Sequence, residues 1–227
     1  MEIITTQHLT KTYDEGPVPV HAVNDVSLSI SEGEFTAIVG PSGSGKTTLL
    51  NLLGGLDKAT SGSVIIGGTQ LENLSENELI RFRLNNIGFV FQAYNLIPVL
   101  TARENAEFTM LLQNRPKKER QERVDVLLKE VGLEDQGYKV PGALSGGQQQ
   151  RVAVARALAP KPRFVLADEP TANLDSHSAE NLLNIMARLN KEEKTTFIFS
   201  THDQRVIDQA RRVITLVDGK VVSDEVR

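Results

Sequence analysis

A mostly parallel α/β fold is predicted by three features of the sequence. Short apolar, β-branched runs alternate with helical patterns, a glycine-rich turn separates one run from a helix, and strand signals nearly vanish over a long central interval. The runs are Phe35 to Val39, Val64 to Ile66, Ile87 to Val90, Phe164 to Ala167, Thr196 to Ser200 and Val213 to Val217. Strands covered by helices on both faces read as continuous apolar runs of this kind. With 227 residues the chain is long enough for one well-buried core, so a single unit spanning 1–227 is expected.

Taken in order, the stretch from Glu2 to about Ile30 has no strong helix and reads as additional strands forming an antiparallel β edge. The run Phe35 to Val39 leads through the glycine-rich turn into a helical stretch from Lys46 to Leu53. Ser75 and Glu78 have capping-box spacing, in which each side chain satisfies a backbone N–H at the other residue, and they predict a short helix before the strand at Ile87. Thr101 and Glu104 repeat the device, and Val124, Leu127, Leu128 and Val131 form one helical stripe. The interval from Thr101 to Leu158 is therefore expected to be a helical lobe inserted into the sheet domain. The division is 1–92 with 159–227 for the sheet core and 93–158 for the lobe. Acidic residues interrupt the basic run Arg115 to Arg123, which reads as the solvated start of a helix.

Composition narrows the function. A net charge of −4 speaks against nucleic acid as a partner, because holding it by phosphate neutralisation needs a basic face. The absence of cysteine removes disulfides and thiolate metal sites, and the four histidines form no metal-like cluster. No run reaches the ~18 apolar residues of a membrane span, and Met1 to Tyr13 lacks a basic segment followed by an apolar one. A cytoplasmic chain that meets a membrane through a partner is expected.

Gly40-Pro41-Ser42-Gly43-Ser44-Gly45-Lys46-Thr47 fits G-x-x-x-x-G-K-[ST] and stands between a strand and a helix, as that phosphate-binding loop requires. Glycines let successive N–H groups turn inward at a helix start, where an anion meets partial positive charge. Lys46 then reaches the β and γ phosphates of a bound nucleotide and Thr47 ligates Mg²⁺, which leaves a GTPase, a kinase and a transport ATPase all open. The apolar run Arg163 to Ala167 ends in Asp168 and Glu169. If its strand neighbours that of the loop, both carboxylates reach the site, Asp168 for Mg²⁺ and Glu169 as general base toward the attacking water. Leu144-Ser145-Gly146-Gly147-Gln148 opens a helical pattern through Val152, Val154, Ala155 and Leu158, a second helix start suited to an anion. A regulatory GTPase is the rival from another class. It wants N-K-x-D, which Asn190-Lys191-Glu192-Glu193 misses.

With LSGGQ at Leu144 to Gln148, the chain resembles the ABC ATPase family over essentially its whole length. The resemblance implies a P-loop NTPase core. It also implies that Gln92 is the glutamine contacting Mg²⁺ and water, Asn173-Leu174-Asp175 the loop between protomers, His202 the switch histidine and Tyr13 the adenine-stacking aromatic. The implied catalytic set is Glu169, His202, Gln92 and Lys46, and the metal ligands are Thr47, Gln92 and Asp168. The implied nucleotide contacts are Tyr13, Gly40, Ser42, Gly43, Ser44, Gly45, Lys46, Thr47, Thr48, Gln92, Ser145, Gly146, Gly147, Gln148, Asp175 and His202. In the family the signature helix of one protomer closes over the nucleotide of the other. A head-to-tail homodimer follows, with a related heteropartner as the alternative.

The interval from Gln92 to Leu144 is too short for the coiled-coil arms of chromosome-maintenance members, and a second cassette is missing. Ile87 to Pro98 and Gly54-Gly55-Leu56-Asp57-Lys58 are similar to the branch of lipoprotein-release and macrolide-export ATPases. Amino-acid importers share parts of these phrases, and division-associated relatives keep the same chemistry. All imply an integral membrane permease or similar membrane partner. Tyr94 to Leu100 reads either as the groove for that partner's cytoplasmic helix or as core packing of the helical lobe.

Overall fold

Two sheets carry the fold, and the computed structural model describes residues 1–14 and 18–227 of it. The chain opens with β1 (Glu2–Tyr13), β2 (Val20–Val26), β3 (Ser29–Ser31) and β4 (Phe35–Val39), followed by α1 (Lys46–Leu53), β5 (Ser61–Ile66), β6 (Thr69–Gln70), α2 (Glu76–Asn86) and β7 (Ile87–Val90). Three helices follow, α3 (Ala102–Leu112), α4 (Lys117–Glu130) and α5 (Gly146–Leu158). The chain then returns through β8 (Phe164–Asp168), α6 (Ser176–Glu193), β9 (Thr196–Ser200), α7 (Gln204–Gln209), β10 (Arg212–Val217) and β11 (Lys220–Val226).

The core sheet has the order β11-β10-β4-β9-β8-β7; its strands run parallel except β11, which is antiparallel to β10. The smaller sheet, β2-β1-β5-β6 with β3 also on β1, is antiparallel. The run Val64 to Ile66, expected among the parallel strands, therefore lies in the antiparallel sheet. Its apolar residues pair with the likewise apolar start of β1, Ile4 opposite Ile66, and three residues of apolar sequence do not encode strand direction. Val23, Val26, Ile30 and Ile66 of this sheet pack with α1 and with one face of the core sheet.

Strand periodicity divides the two faces. Phe164, Leu166 and Ile198 point to the α1 side, whereas Val165, Ala167, Phe197 and Phe199 point to the helices α3 to α6. That second core runs without a break from β4, β8 and β9 through α6 to Val124, Leu127, Leu128 and Val131. Each fully buried large side chain of this kind contributes roughly 1.5–3 kcal/mol. Both capping boxes form: Ser75 starts α2 and Thr101 starts α3, each with its glutamate reaching back. The charged run is exposed from Arg115 to Glu119 and at Gln121 and Glu122, as expected of a solvated start, while Arg120 and Arg123 are half-buried. Arg120 pairs with Glu107 at 3.3 Å and Arg123 with Glu193 at 3.1 Å, so α4 is tied to α3 and to the end of α6.

Candidate functional site

The phosphate-binding loop leaves the C-terminal end of β4 in the middle of the core sheet. Two of its glycines are required by space as well as by backbone angle. At Gly40 (φ 152°) an added Cβ would sit 2.0 Å from the Leu216 carbonyl oxygen, and at Gly45 (φ 98°) 1.9 Å from that of Ala22. Gly45 is also the N-cap of α1 and supplies no side-chain cap, which leaves first-turn N–H groups free for an anion. The Lys46 ammonium folds back over the loop and donates to the carbonyls of Gly40 at 2.9 Å and Pro41 at 3.0 Å. Beneath it the Ser44 hydroxyl is buried without a partner, an orphan that suits a site built for a polar guest.

The strand order differs from the expected one in a useful way. β8, which carries Asp168, is separated from β4 by β9, so the loop and the carboxylates flank a third strand end carrying Thr201 and His202. They still meet, because Thr47 Oγ1 donates to Asp168 Oδ1 at 3.1 Å. Glu169 adopts a left-handed backbone (φ 44°), with its N–H bonded to the Ser200 carbonyl at 2.9 Å. Its carboxylate lies 2.7 Å from His202 Nδ1 and accepts from the Thr201 hydroxyl at 3.3 Å. Gln92, Glu169, His202 and the loop from Gly40 to Thr48 all line one cleft of about 1140 Å³.

That cleft has walls that sequence reading missed. His21, Ala22 and Asn24 of β2 and Asp218 and Lys220 at the β10–β11 turn complete it. No motif marks them, since they arrive by packing of the smaller sheet against the sheet edge. Thr201, which bonds Glu169, was missed as well.

Other expected residues stand apart from the cleft. Tyr13 does not line it but lies near Thr48, which does, and its hydroxyl donates to Asp57 Oδ2 at 2.7 Å. Lys11 donates to the other Asp57 oxygen at 2.7 Å and stands 4.8 Å over the Tyr13 ring. Burial, then the bond to Asp57, pushes the Tyr13 phenol above its usual range. Ser145, Gly146, Gly147 and Gln148 do not line the cleft. They begin α5 in a third capping box, with Gln148 N–H bonded to Ser145 Oγ and Ser145 N–H to Gln148 Oε1. That arrangement satisfies two donors and leaves those of Gly146 and Gly147 without a partner inside the helix. Asp175 caps α6, accepting from Ser178 N–H at 3.0 Å, and Asn173 donates to the Gln92 carbonyl at 3.0 Å.

A second concavity of about 580 Å³ lies between α2, β7, α3 and α5, lined by Leu56, Ile80, Phe89, Phe91, Leu112 and Arg156 among others. Of the stretch Tyr94 to Leu100 only Asn95 lines it. Leu96 packs on the core instead, and Tyr94 bonds the Asn173 carbonyl at 3.4 Å. No helix of the described residues is long and apolar enough to cross a membrane.

A strand-loop-helix phosphate cradle, a carboxylate pair across one strand and a separate glycine helix start coincide with a family profile. Residues 23–172 match the profile described as ABC transporter. The chain belongs to the ABC transporter family. It is an ATP-binding, ATP-hydrolysing cassette of that family, with its mixed α/β fold. It is 46% identical to an uncharacterized ABC transporter ATP-binding protein of Thermotoga maritima, over 96% of this chain and 92% of that one. It is 43% identical to the lipoprotein-releasing system ATP-binding protein LolD of Legionella pneumophila, over 98% of both. The macrolide export ATP-binding/permease protein MacB of Aggregatibacter actinomycetemcomitans is 46% identical over 99% of this chain, which spans 35% of MacB. Among solved structures, the dimeric ABC cassette MJ0796 of Methanocaldococcus jannaschii bound to ADP and Pi superposes with a TM-score of 0.91. The two are 44% identical over 99% of this chain and 98% of that one.

Proposed function

We propose that two copies of this chain close head to tail around two ATP molecules and drive a separate membrane protein of the lipoprotein-release or macrolide-export kind. The observation that carries the reading is a division of parts. The phosphate loop and Glu169 face one cleft and Asp168 is bonded to Thr47 of that loop, whereas the helix start with free Gly146 and Gly147 N–H groups lies outside it. Residues at such a helix start serve an anion held by another copy, and the dimeric MJ0796 structures support this. Phosphoryl transfer to water depends on positioning and charge stabilisation, so a site lacking these donors is slow.

In this reading Gly40 to Thr48 cradle the phosphates, with Lys46 turned from its carbonyls toward the β and γ groups. Tyr13 stacks on the adenine. Thr47 and Asp168 fit a hard cation, since one hydroxyl and one carboxylate already converge. Among the described residues no cluster of three or more His, Cys, Asp or Glu is available to hold a metal alone. Such a pair would suit a magnesium ion, which would be held by Thr47, Asp168 and Gln92 and would neutralise charge on the phosphates when bound. Glu169 takes the proton of the attacking water, and His202, bonded to Glu169, faces the γ-phosphate. Ser145, Gly146, Gly147 and Gln148 of the second copy complete the site, with Asp175 at the joint between copies. The apolar concavity beside Phe89 and Leu112 receives a cytoplasmic helix of the membrane partner, so that closure of the pair moves that helix.

Glu169→Gln tests the chemistry directly. Turnover is expected to fall by at least about 10²-fold with ATP binding intact, and light scattering should show an ATP-bound dimer. Retained turnover, or a strictly monomeric ATP-bound variant, overturns the reading.

A further inference from the structure

Gln150 is a fully buried polar side chain in the second turn of α5. Its Nε2 donates to the Pro170 carbonyl at 2.8 Å and approaches the Phe91 carbonyl at 3.4 Å, while its Oε1 is buried with no partner. An amide held in the interior with its acceptor idle is a poor choice for packing alone, because an apolar side chain of similar size fills the space without an orphan atom. The carbonyls it holds explain its presence: Pro170 directly follows Glu169, and Phe91 directly precedes Gln92.

Glu169 needs holding. A non-glycine residue at φ 44° persists only where its surroundings fix it. On one side its N–H is bonded to Ser200 on β9. On the other side stands a proline, which has no N–H, so the Pro170 carbonyl is that residue's only backbone handle. Gln150 grips this handle. Farther along the same helix, Arg156 donates to the carbonyls of Tyr94 at 2.8 Å and Asn95 at 2.5 Å, which fixes the chain just beyond Gln92 to α5 as well.

We propose that Gln150 is a positioning residue for hydrolysis: its amide ties α5, whose first turn serves the partner's nucleotide, to the backbone behind the base of its own site. Movement of α5 when the pair closes thereby sets the aim of the Glu169 carboxylate. The proposal rests on Glu169 being the base.

Gln150→Met keeps length and volume and removes the donor. Steady-state turnover is expected to show kcat lowered about tenfold and KM within about twofold of the native chain, as for residues that orient a reacting group through one intermediary. The melting midpoint is expected to stay within about 4 °C, since the lost donor is offset by removal of the orphan oxygen. ATP affinity, measured by calorimetry in a Glu169→Gln background, should be unchanged. A kcat within twofold of native overturns the proposal. So does a kcat loss accompanied by weakened ATP binding or a large fall in melting midpoint, which is what a merely structural role produces. Gln150→Leu provides a second apolar filling should the methionine variant not fold. Glu169→Gln alone separates the two ideas: if it still turns over, the base assignment and this proposal both fail, whereas a dead Glu169→Gln beside a fully active Gln150→Met removes only the role of Gln150.

Discussion

The two helix starts offered to phosphate differ in how they are built. At α1 the N-cap is Gly45, no side chain caps it, and the Lys46 ammonium bends back onto the loop carbonyls. At α5 the N-cap is Ser145, and a reciprocal bond with Gln148 closes the cap. The first is a cradle wrapped by glycine turns and placed at the centre of a parallel sheet, beside the carboxylates it needs. The second is a finished helix terminus whose remaining free donors, those of Gly146 and Gly147, have no acceptor within the described cleft of their own chain. A helix that is complete by itself yet keeps open donors is suited to a partner's anion. In the proposed pair the cradle gives binding, and the capped terminus gives dependence on a second copy.

That comparison breaks most sharply with a pair of variants. Gly146→Asp places a carboxylate in the first turn of α5, which favours the helix itself but repels any phosphate approaching it. An added Cβ meets mainly the Tyr94 hydroxyl, the mobile end of a side chain, at 2.8 Å. Lys46→Ala disables the cradle instead. Each variant alone is expected to lose about 10²- to 10³-fold in kcat. Mixed in equal amounts, they should recover up to about a quarter of the native rate, because half the random pairs are mixed and each mixed pair has one of two composite sites intact. Phosphate release is the measurement. No recovery on mixing, with mixed pairs shown to form, places both helix starts in the same site.

The cradle was legible in the sequence because its requirements are local: a strand, a turn that only glycine fits at Gly40 and Gly45, then a lysine and a hydroxyl at fixed spacing. The capping boxes at Ser75 and Thr101 were legible for the same reason. What could not be read depends on partners distant in the chain. Val64 to Ile66 is apolar enough for either sheet, and only its pairing with β1 decides. That β9 intervenes between β4 and β8 is a matter of strand order, which no single segment contains. The wall formed by His21, Asn24 and Lys220 has no motif because each residue is ordinary in its own strand or turn. Gln150 falls in a glutamine run at a helix start, where a polar residue reads as exposed; its burial becomes visible only when Pro170 is found above it.

A smaller effect sharpens the cradle's outer edge. One face of the Tyr13 ring is under Lys11, and its hydroxyl is held by Asp57, so the ring's orientation is fixed before nucleotide arrives. Burial opposes charge on Asp57, but the bonds from Lys11 and Tyr13 outweigh it and hold the carboxyl below its usual range. Base stacking on an aromatic is worth about 1–3 kcal/mol, so Tyr13→Ala should raise the KM for ATP roughly tenfold with kcat little changed. Tyr13→Phe and Asp57→Asn keep the ring and lose its tether, and each is expected to raise KM only about twofold to threefold. Equal losses in the alanine and phenylalanine variants would show that the hydroxyl, and not the ring face, meets the nucleotide.

The smallest effect concerns stability within the core half. Asp203, next to His202, accepts from Thr171 at 2.7 Å and from Arg205 at 2.7 Å, joining the end of β9 to the loop that leads to Asp175. The bond from Arg205 holds its carboxyl down to about 2, against partial burial. A folded-state value below the unfolded one means that this stabilisation is complete above about pH 4 and is lost as the pH falls through about 2. Arg205 is substantially exposed, so screening keeps the contribution under about 1 kcal/mol, or roughly 2–4 °C in melting midpoint at neutral pH. Asp203→Asn should show that deficit at pH 7 and converge with the native chain near pH 2, with kcat within about twofold. A deficit that persists unchanged in acid would mean that shape, and not charge, joins the two loops. A large loss of kcat would mean that the cradle's half of the site depends on this joint as strongly as on its own loop.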